Sequence, residues 1–407
     1  MAISVLSGSP QTATPVYNKM IFKVSGSLTS ATNYRYVCDV KNGAGTTTLA
    51  RLKCDKLPTT NYGFFDVSRV VETLMAPTVP TLAQVGFADH AGFYSGYRLT
   101  FMEEYGSNPV VQTGTTTNVS GVLAFAGNLE QLELADWSAG LYFPSGALQG
   151  GEKTLTTTCV QLSSPANALN VVYSDSYEFL CVGAGYSGAV VSATVVYTNA
   201  DGSILRSFSV PRPLSVSGSI HRFGAGPMNL KALTSGQCSD GQAGSFNFPT
   251  TEGAGYYIQF LDLTDAGYTA TWFRIGPCQR FDSIPVHFVN KYGGIDSYTF
   301  TMKNRKRANI EREVFGYNSD VYATTTYNKV WAGSFDFVYA LNSDWLTDAE
   351  SEWLIEMVRS GQVWLELDGQ LVEAVVNANQ YQFVTRRNDR LTQLQIEVAV
   401  AYDNSIL

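Results

Sequence analysis

The sequence predicts a mainly β protein, with two N-terminal β-sandwich-like domains followed by a C-terminal antiparallel β domain with one packed helix. Three observations lead to this prediction. Apolar and polar residues alternate with a period of two along most of the chain, turn sequences separate the alternating runs, and only two segments have helical spacing. Hydrophobic residues make up 45% of the 407 residues, which is ample material for buried cores.

The alternation is clearest near the end of the chain. In QLQIEVAVAY, one face carries Leu394, Ile396, Val398 and Val400, and the other carries Gln393, Gln395 and Glu397. The same spacing groups Met20, Phe22 and Val24 in MIFKV, Tyr34, Tyr36, Cys38 and Val40 in YRYVCDV, and Tyr298, Phe300 and Met302 in SYTFTMK. These runs predict half-buried strands in antiparallel sheets that have one covered face.

Two dipeptides predict hairpin turns. Asp201-Gly202 separates VVSATVVY from ILRSFSV, and Asp368-Gly369 separates VWLEL from QLVEAVV. Asp-Gly favours tight hairpin turns because both residues tolerate a positive φ angle. We therefore expect each pair of runs to form neighbouring antiparallel strands.

Two segments have the spacing of a helix. The stronger prediction covers residues 348–359, where Thr347 and Glu350 match a capping box and Gly361 follows the last turn. The apolar stripe of this helix consists of Trp353, Leu354, Met357 and Val358. A shorter helix is predicted in FDVSRVVETLM, with Asp66 as its cap and an apolar face of Val67, Val70, Val71 and Leu74.

A chain of this length normally divides into two or three domains. Boundaries are predicted near TGTTTN, residues 113–118, and near CQRFDSI, residues 278–284. They define an N-terminal β-sandwich-like domain at 1–115, a Gly- and Thr-rich middle β domain at 116–280, and a C-terminal β domain with the helix at 281–407.

Composition and charge restrict the partners. The net charge of −8 argues against nonspecific binding to nucleic acid. Charged residues are only 15% of the chain, which favours surfaces that other proteins cover. The N-terminus lacks the features of a signal peptide, and no apolar run reaches the ~18 residues of a membrane span. We expect a protein made in the cytoplasm, with no membrane partner.

No motif predicts a cofactor or a metal. GAGYSG, residues 183–188, matches the GxGxxG string, but β-branched residues follow it where a dinucleotide site needs a helix. A glycine-rich β-connection is the better interpretation. Six widely spaced cysteines predict reduced, mostly buried thiols: Cys38, Cys54, Cys159, Cys181, Cys238 and Cys278.

Catalytic candidates are few, and the sequence predicts that the protein is not an enzyme. His90, His221 and His287 are far apart and belong to no recognised motif, so a triad would have to assemble across the fold. The carboxylates considered for a glycosidase pair are Glu103, Glu104, Asp175, Glu366 and Asp368. Adjacent Glu103 and Glu104 point to opposite faces of a strand and do not form such a pair. An aromatic-rich chain leaves a second hypothesis open, a protein that binds or cleaves glycans.

The residues 303–313 combine bases with acids. Two acids, Glu311 and Glu313, flank the last of the five basic residues, which are Lys303, Arg305, Lys306, Arg307 and Arg312. A nucleic-acid arm normally has unopposed cations, whereas mixed charge suits paired contacts across a protein interface. We predict that these five basic residues form an interface edge. A solvated strand end and DNA contact near a channel remain as alternatives.

The segment RFDSIPVHFVNKYGGIDSYTFTMKNRKRANIEREVF resembles part of the structural proteins of tailed phages and prophages of Bacteroidetes-type hosts. Further pieces are similar in the same order: GFFDVSRVVETLM, YRLTFMEEYG, GAGPMNL, WLTDAESEWLIEMVRSGQVWLELDGQLVEAVV and LTQLQIEVAVAY. The pieces extend over most of the chain. The glycine-rich middle, roughly residues 183–255, has no counterpart.

The resemblance implies a virion component of the tail, neck or baseplate. Such proteins are assembled in the host cytoplasm and act by forming rings or tubes. The implied partners are other virion proteins and further copies of this chain, with cyclic symmetry closing a ring. The resemblance supplies no catalytic residue. A receptor-recognition protein of the virion that binds or cleaves glycans is the alternative.

Overall fold

The fold of the chain is given by a computed structural model. It describes residues 3–144, 152–157, 170–183, 190–216, 218–242, 254–262, 267–276, 281–317, 327–377, 391–400 and 405–406. The protein is mainly β, with several sheets and short helices, which confirms the predicted fold class.

The N-terminal part is a sandwich of two sheets. The smaller sheet has the order β1 (Ser4–Val5), β3 (Ile21–Ser25), β6 (Gly63–Asp66). The larger has the order β2 (Ala13–Pro15), β9 (Val110–Phe125), β8 (Tyr94–Tyr105), β4 (Arg35–Asn42), β5 (Thr48–Asp55). Phe101 of β8 contacts Phe22 and Phe65 of the facing sheet, which places the core between the two layers.

The middle part is a second sandwich. Its larger sheet has the order β10 (Val171–Val172), β16 (Thr271–Ile275), β15 (Gly255–Leu261), β12 (Ser192–Thr198), β13 (Ile204–Pro211). The smaller has the order β11 (Phe179–Gly183), β14 (Ile220–Gly224), β7 (Phe87–Asp89). Phe87 and Phe223 contact Phe260 across the layers, so burial of aromatic rings joins these sheets too.

The C-terminal part is one antiparallel sheet. Its order is β18 (Ile295–Phe300), β17 (Ile284–Val289), β22 (Val363–Leu367), β23 (Gln370–Val376), β25 (Gln395–Val400), β20 (Tyr327–Asn342), β19 (Arg305–Tyr317), and β26 (Ser405–Ile406) also pairs with β20. A two-stranded ribbon, β21 (Leu346–Thr347) and β24 (Leu391–Thr392), lies beside it.

The helices are α1 (Ser68–Glu72), α2 (Gln131–Ala135), α3 (Ala139–Tyr142), α4 (Pro227–Lys231) and α5 (Asp348–Arg359), and Ser235–Gln237 forms a 3₁₀ turn. Helix α5 has the bounds that the sequence predicts. Its residues Trp353, Leu354 and Met357 are buried in the core of the C-terminal sheet. Helix α1 is shorter than its apolar spacing suggests, and Asp66 accepts a hydrogen bond from the backbone N–H of Ser68 at 3.1 Å.

The predicted alternation and turns are also present. Met20, Phe22 and Val24 are buried together, and so are Ile396, Val398 and Val400. Asp368 and Gly369 have φ angles of 51° and 73° in a two-residue turn between β22 and β23. Gly202, with a φ of 83°, lies in the turn between β12 and β13. The four described cysteines are free: Cys38, Cys54, Cys181 and Cys238, while Cys159 and Cys278 lie outside the described residues.

The division into three domains stays a prediction. Strand β9 continues past residue 115, so the first predicted boundary falls within a strand of the N-terminal sandwich. Strand β7, which precedes that boundary in sequence, pairs with β14 of the middle sandwich. The second predicted boundary precedes the first described strand of the C-terminal sheet, β17.

The cap of α5 predicts a measurable loss of stability. The backbone N–H of Glu350 donates to the Thr347 hydroxyl at 3.3 Å, and the Glu350 carboxylate accepts from the backbone N–H of Thr347 at 2.8 Å. We expect Thr347→Ala to lower the free energy of unfolding by about 1 kcal/mol in urea denaturation, because a helical N–H loses its partner. Thr59→Ala, at an exposed position, is the control. Equal stability of the two variants would contradict a role for the cap.

Candidate assembly interface

Strands β19 and β20 form the long hairpin that contains the predicted basic residues. Their pairing is regular from Arg305 opposite Ala340 to Glu313 opposite Ala332, and the register shifts between Glu313 and Val314. β19 is the last strand of the C-terminal sheet, and no other described strand pairs with its outer side. The outer side therefore presents backbone N–H and C=O groups for which the described chain provides no strand partner.

The two faces of β19 differ in character. Residues 305–314 are all exposed. Since side chains alternate along a strand, one face carries Arg305, Arg307, Asn309, Glu311 and Glu313, and the other carries Lys306, Ala308, Ile310, Arg312 and Val314. The second face includes two large exposed apolar side chains, with Ile310 54% and Val314 58% exposed.

Aromatic residues of β20 extend this apolar face. Phe337 lies opposite Ala308, and the half-buried rings of Phe335 and Phe337 meet edge to face at 5.3 Å. The Lys306 ammonium lies 3.9 Å from the centre of the Phe337 ring and 5.5 Å from that of Tyr339. This cation–π contact holds the Lys306 side chain against the apolar face.

The structure divides the predicted basic cluster between two surfaces. Lys303 is exposed and precedes β19, while Arg305 and Arg307 share one face and Lys306 and Arg312 share the other. The Arg307 guanidinium forms an ion pair with the Glu397 carboxylate of β25. The free edge and the aromatic row were missed at the level of sequence. The alternation of Phe335, Phe337 and Tyr339 in FDFVY was the signal that could have revealed the row.

His90 and His221 are neighbours in the middle sandwich, because His221 pairs with Asp89 and the backbone N–H of His90 donates to the Ile220 carbonyl at 3.0 Å, whereas His287 lies in the C-terminal sheet. His90 and His221 are fully buried, and burial lowers their pKa values to about 3 and about 4. The Nε2 atom of His90 lies 3.0 Å from the carbonyl oxygen of Gly293. Neither ring nitrogen of His221 has a hydrogen-bond partner among the described residues. His90 Nε2 also lies 3.9 Å from the Cys181 thiol sulfur, but burial raises the pKa of this thiol, so it stays protonated. Both rings are core side chains.

His287 has polar neighbours on both sides. Its Nδ1 lies 2.7 Å from the Ser297 hydroxyl oxygen, and its Nε2 lies 3.6 Å from the Glu366 carboxylate. The order of groups is that of a serine triad, Ser–His–Glu, but Ser297 stands within β18, whose backbone is paired with β17. A triad also requires oxyanion donors beside the nucleophile. The described contacts of Ser297 include none.

The candidate carboxylates fall into two groups. Glu103 accepts a hydrogen bond from the Tyr34 hydroxyl at 2.8 Å, and Glu104 pairs with Lys53 at 2.7 Å, so both have structural partners. The remaining three are brought together: Asp175, Glu366 and Asp368 line one depression of about 190 Å³.

A buried carboxyl cluster lies between the middle and C-terminal parts, and sequence reasoning missed it. Asp296 accepts hydrogen bonds from the side chains of Thr156, Asn290 and Trp353 at 3.0, 2.9 and 3.2 Å. Burial raises its pKa. Glu178 is also buried, and burial together with the charge of Asp296 raises its pKa to about 8. Both line a cavity of about 180 Å³.

The described residues hold no group of three or more His, Cys, Asp and Glu side chains placed to bind a metal ion. Within the same ranges, no helix has the length and apolarity needed to cross a bilayer. The glycine string begins at Gly183 in β11, and its remaining residues lie outside the described ranges. The next described element is the strand β12, which agrees with a β-connection.

Comparisons with known proteins leave the family open. No family model matches the sequence, and no curated protein matches it. The chain is similar to the solved fibronectin(III)-like modules of Clostridium thermocellum CbhA, with 11% identity, coverage of 68% of this chain and 94% of that chain, and a TM-score of 0.17. It is also similar to trypsin-activated alpha-2-macroglobulin from Escherichia coli, with 8% identity, coverage of 100% and 38%, and a TM-score of 0.15. Scores this low carry no argument about fold or function.

Glu178 predicts a pH dependence of stability. Its pKa is about 8 in the folded protein and near the ordinary glutamate value when unfolded, so the folded state holds more protons between these values. We expect the wild-type free energy of unfolding to fall, relative to Glu178→Gln, as the pH rises from about 5 to about 8. The loss should be on the order of a few kcal/mol.

Urea denaturation across this pH range measures the effect. Glu373→Gln is the control, because Glu373 is exposed on β23. If the wild type and Glu178→Gln keep a constant difference at every pH, Glu178 does not hold a proton in the folded state.

Proposed function

We propose that this protein is a structural component of a tailed-phage virion, in the tail, neck or baseplate. It acts by oligomeric assembly with its own copies and with other virion proteins. The observation that carries the proposal is strand β19, which is exposed over residues 305–314, carries Ile310 and Val314 on one face, and has no strand partner on its outer side among the described residues. The ordered sequence resemblance along the chain supplies the virion context.

The open edge favours assembly on physical grounds. Unpaired strand edges are templates for pairing with another chain, and isolated soluble proteins usually cover, shorten or distort them. Nine consecutive residues of β19, 305–313, are regularly paired on the inner side and exposed. Ile310, Val314 and the half-buried Phe335 and Phe337 add apolar area beside the edge. A second protein chain would satisfy the backbone groups and remove this area from water.

On this proposal the protein acts by shape and binding, and no residue is assigned a catalytic role. Its place of action is the virion, after assembly in the host cytoplasm. The low content of charged residues, 15%, accords with a chain whose surfaces are largely covered in the assembled particle.

Glycan recognition is the second candidate. It is favoured by the cavity of about 180 Å³, whose lining includes Tyr173, Arg274, Asp344 and Trp345. The Trp345 side chain is 55% exposed, and an exposed indole beside polar groups is a suitable platform for a sugar ring. A glycan array tests binding and a reducing-sugar assay tests cleavage. If both are negative, this candidate is excluded.

Charge reversal tests the assembly interface. We expect Arg305→Glu combined with Arg307→Glu to reduce the assembled mass in light scattering and to leave the circular dichroism spectrum unchanged. Both side chains are exposed, and the ion pair between Arg307 and Glu397 lies at the surface, so the fold depends little on either arginine, whereas an interface depends on their charge. Lys41→Glu with Arg98→Glu is the matched control, since these two residues are cross-strand neighbours of equal charge on β4 and β8.

Particle composition tests the virion context. We expect mass spectrometry of purified phage particles to detect the chain. A protein that stays strictly monomeric in solution and is absent from the particles would overturn the proposed function.

A further inference from the structure

We propose that β19 pairs in antiparallel orientation with β19 of a second copy, around a two-fold axis at Asn309. The inference rests on the proposed function, because it specifies which partner the open edge takes. It would join the two C-terminal sheets into one continuous sheet across the contact.

The first argument is the position of the regular segment. β19 pairs with β20 without a shift from Arg305 to Glu313, and Asn309 is the middle residue of these nine. After Glu313 the register shifts because β20 has one additional residue, Trp331, between the partners of Glu313 and Val314. A two-fold axis at Asn309 therefore matches the whole regular edge of one copy with the whole regular edge of the other.

The second argument is the alternation of the backbone. Along an antiparallel strand, alternate residues direct both N–H and C=O to the same side. The N–H and C=O groups on the outer edge of β19 therefore all belong either to its odd-numbered residues or to its even-numbered residues. Two copies can pair only when odd residues lie opposite odd residues and even opposite even, which removes half of the conceivable registers.

The third argument is charge. In the register centred on Asn309, Arg305 lies opposite Glu313 of the second copy, and Arg307 lies opposite Glu311 of the second copy. The two-fold axis repeats both pairs, so four attractive pairs form on one face of the joined sheet. A register centred on Ala308 or on Ile310 has two attractive pairs and no like-charge pair within β19, so charge permits all three registers. The choice among them rests on the length of the evenly paired segment, which is longest in the register centred on Asn309.

One pair opposes the contact. Lys306 lies opposite Arg312 of the second copy on the apolar face, and symmetry repeats this like-charge pair. The Lys306 ammonium is held over the Phe337 ring in each copy. Four attractive pairs outnumber the two repulsive ones. On the same face Ala308 lies opposite Ile310 of the second copy, so the two exposed apolar faces become neighbours on one side of the sheet.

The symmetry limits what this contact can build. A two-fold contact joins two copies and does not close a ring, which needs a head-to-tail contact through another surface. The predicted ring would therefore consist of copies that use β19 for one contact and a different surface for the other.

A mixing experiment tests the antiparallel charge pairing across the edge. Variant A carries Arg305→Glu and Arg307→Glu, so its regular edge has four acids, and variant B carries Glu311→Arg and Glu313→Arg, so its charged side chains are all basic. We expect each variant alone to have a dissociation constant raised about tenfold or more, because attractive pairs become repulsive. Mixed in equal amounts, A and B should associate again, because each acid of A meets a base of B. Analytical ultracentrifugation measures all three samples.

A cysteine at the axis tests the geometry. Asn309→Cys should form a disulfide-linked dimer under mild oxidation, because directly opposite residues of antiparallel strands have a Cα–Cα distance of about 4.5–5.5 Å, which suits a disulfide. Val375→Cys, exposed on β23 within the same sheet, is the control and should give no such dimer.

The outcomes separate this inference from the proposed function. If the wild type assembles but A and B fail to associate when mixed, or Asn309→Cys does not cross-link, the two-fold register is wrong and assembly uses another contact. If the wild type does not self-associate at all, the inference is overturned, and detection in particles alone decides the proposed function. Circular dichroism of each variant confirms that the fold is intact.

Removal of the like charge at Arg312 should strengthen the dimer, a result that a purely structural role of Arg312 would not produce. We expect Arg312→Gln to lower the dissociation constant of the dimer about two- to tenfold, because the two contacts between Lys306 and Arg312 lose their repulsion. An unchanged or higher dissociation constant would contradict the register centred on Asn309.

Discussion

The C-terminal sheet has two edges, and the difference between them governs how the molecule can associate. The β18 edge is held inside the protein by Asp296, whose carboxylate accepts hydrogen bonds from Thr156, Asn290 and Trp353. These bonds connect the strand to the middle part, to the β17–β18 turn and to α5. Most of β18 is therefore buried, whereas residues 305–314 of β19 are exposed and their outer side has no strand partner within the described part of the chain.

The two edges also differ in the cost of exposure. A buried carboxylate needs its hydrogen bonds, because an unpaired one would be far more costly than an unpaired backbone group. Asp296 therefore fixes the β18 side rigidly. The β19 edge is in contact with water, where its backbone groups are hydrated, so it can exchange water for a partner strand at little cost. The burial of β18 and the exposure of β19 leave β19 as the edge of this sheet that a second chain can reach.

Local features of this fold could be predicted from the sequence, and its long-range pairings could not. The bounds of α5 follow from Thr347 and Glu350, and the turn after β22 follows from Asp368-Gly369, because neighbouring residues determine both. The open edge depends on Val338 pairing with Ala399, which makes β20 an inner strand and leaves β19 outside. Likewise, Glu178 and Asp296 share a cavity only after distant strands meet. Neither the outer position of β19 nor the cavity shared by Glu178 and Asp296 can be predicted from the spacing of residues in the sequence.

Another strand at the end of a sheet shows how this chain covers an edge. β13 is last in its sheet, yet Ser209 exchanges hydrogen bonds with Ser239, and Arg206 forms an ion pair with Asp240. The residues that follow thus cover part of its outer side. β19 has no such cover among the described residues, and its charges do not simply repel other strands. An edge with charge of one sign repels a second copy of itself, whereas bases at one end and acids at the other allow antiparallel pairing between two copies. This pattern is expected of an edge that is selected for one specific contact.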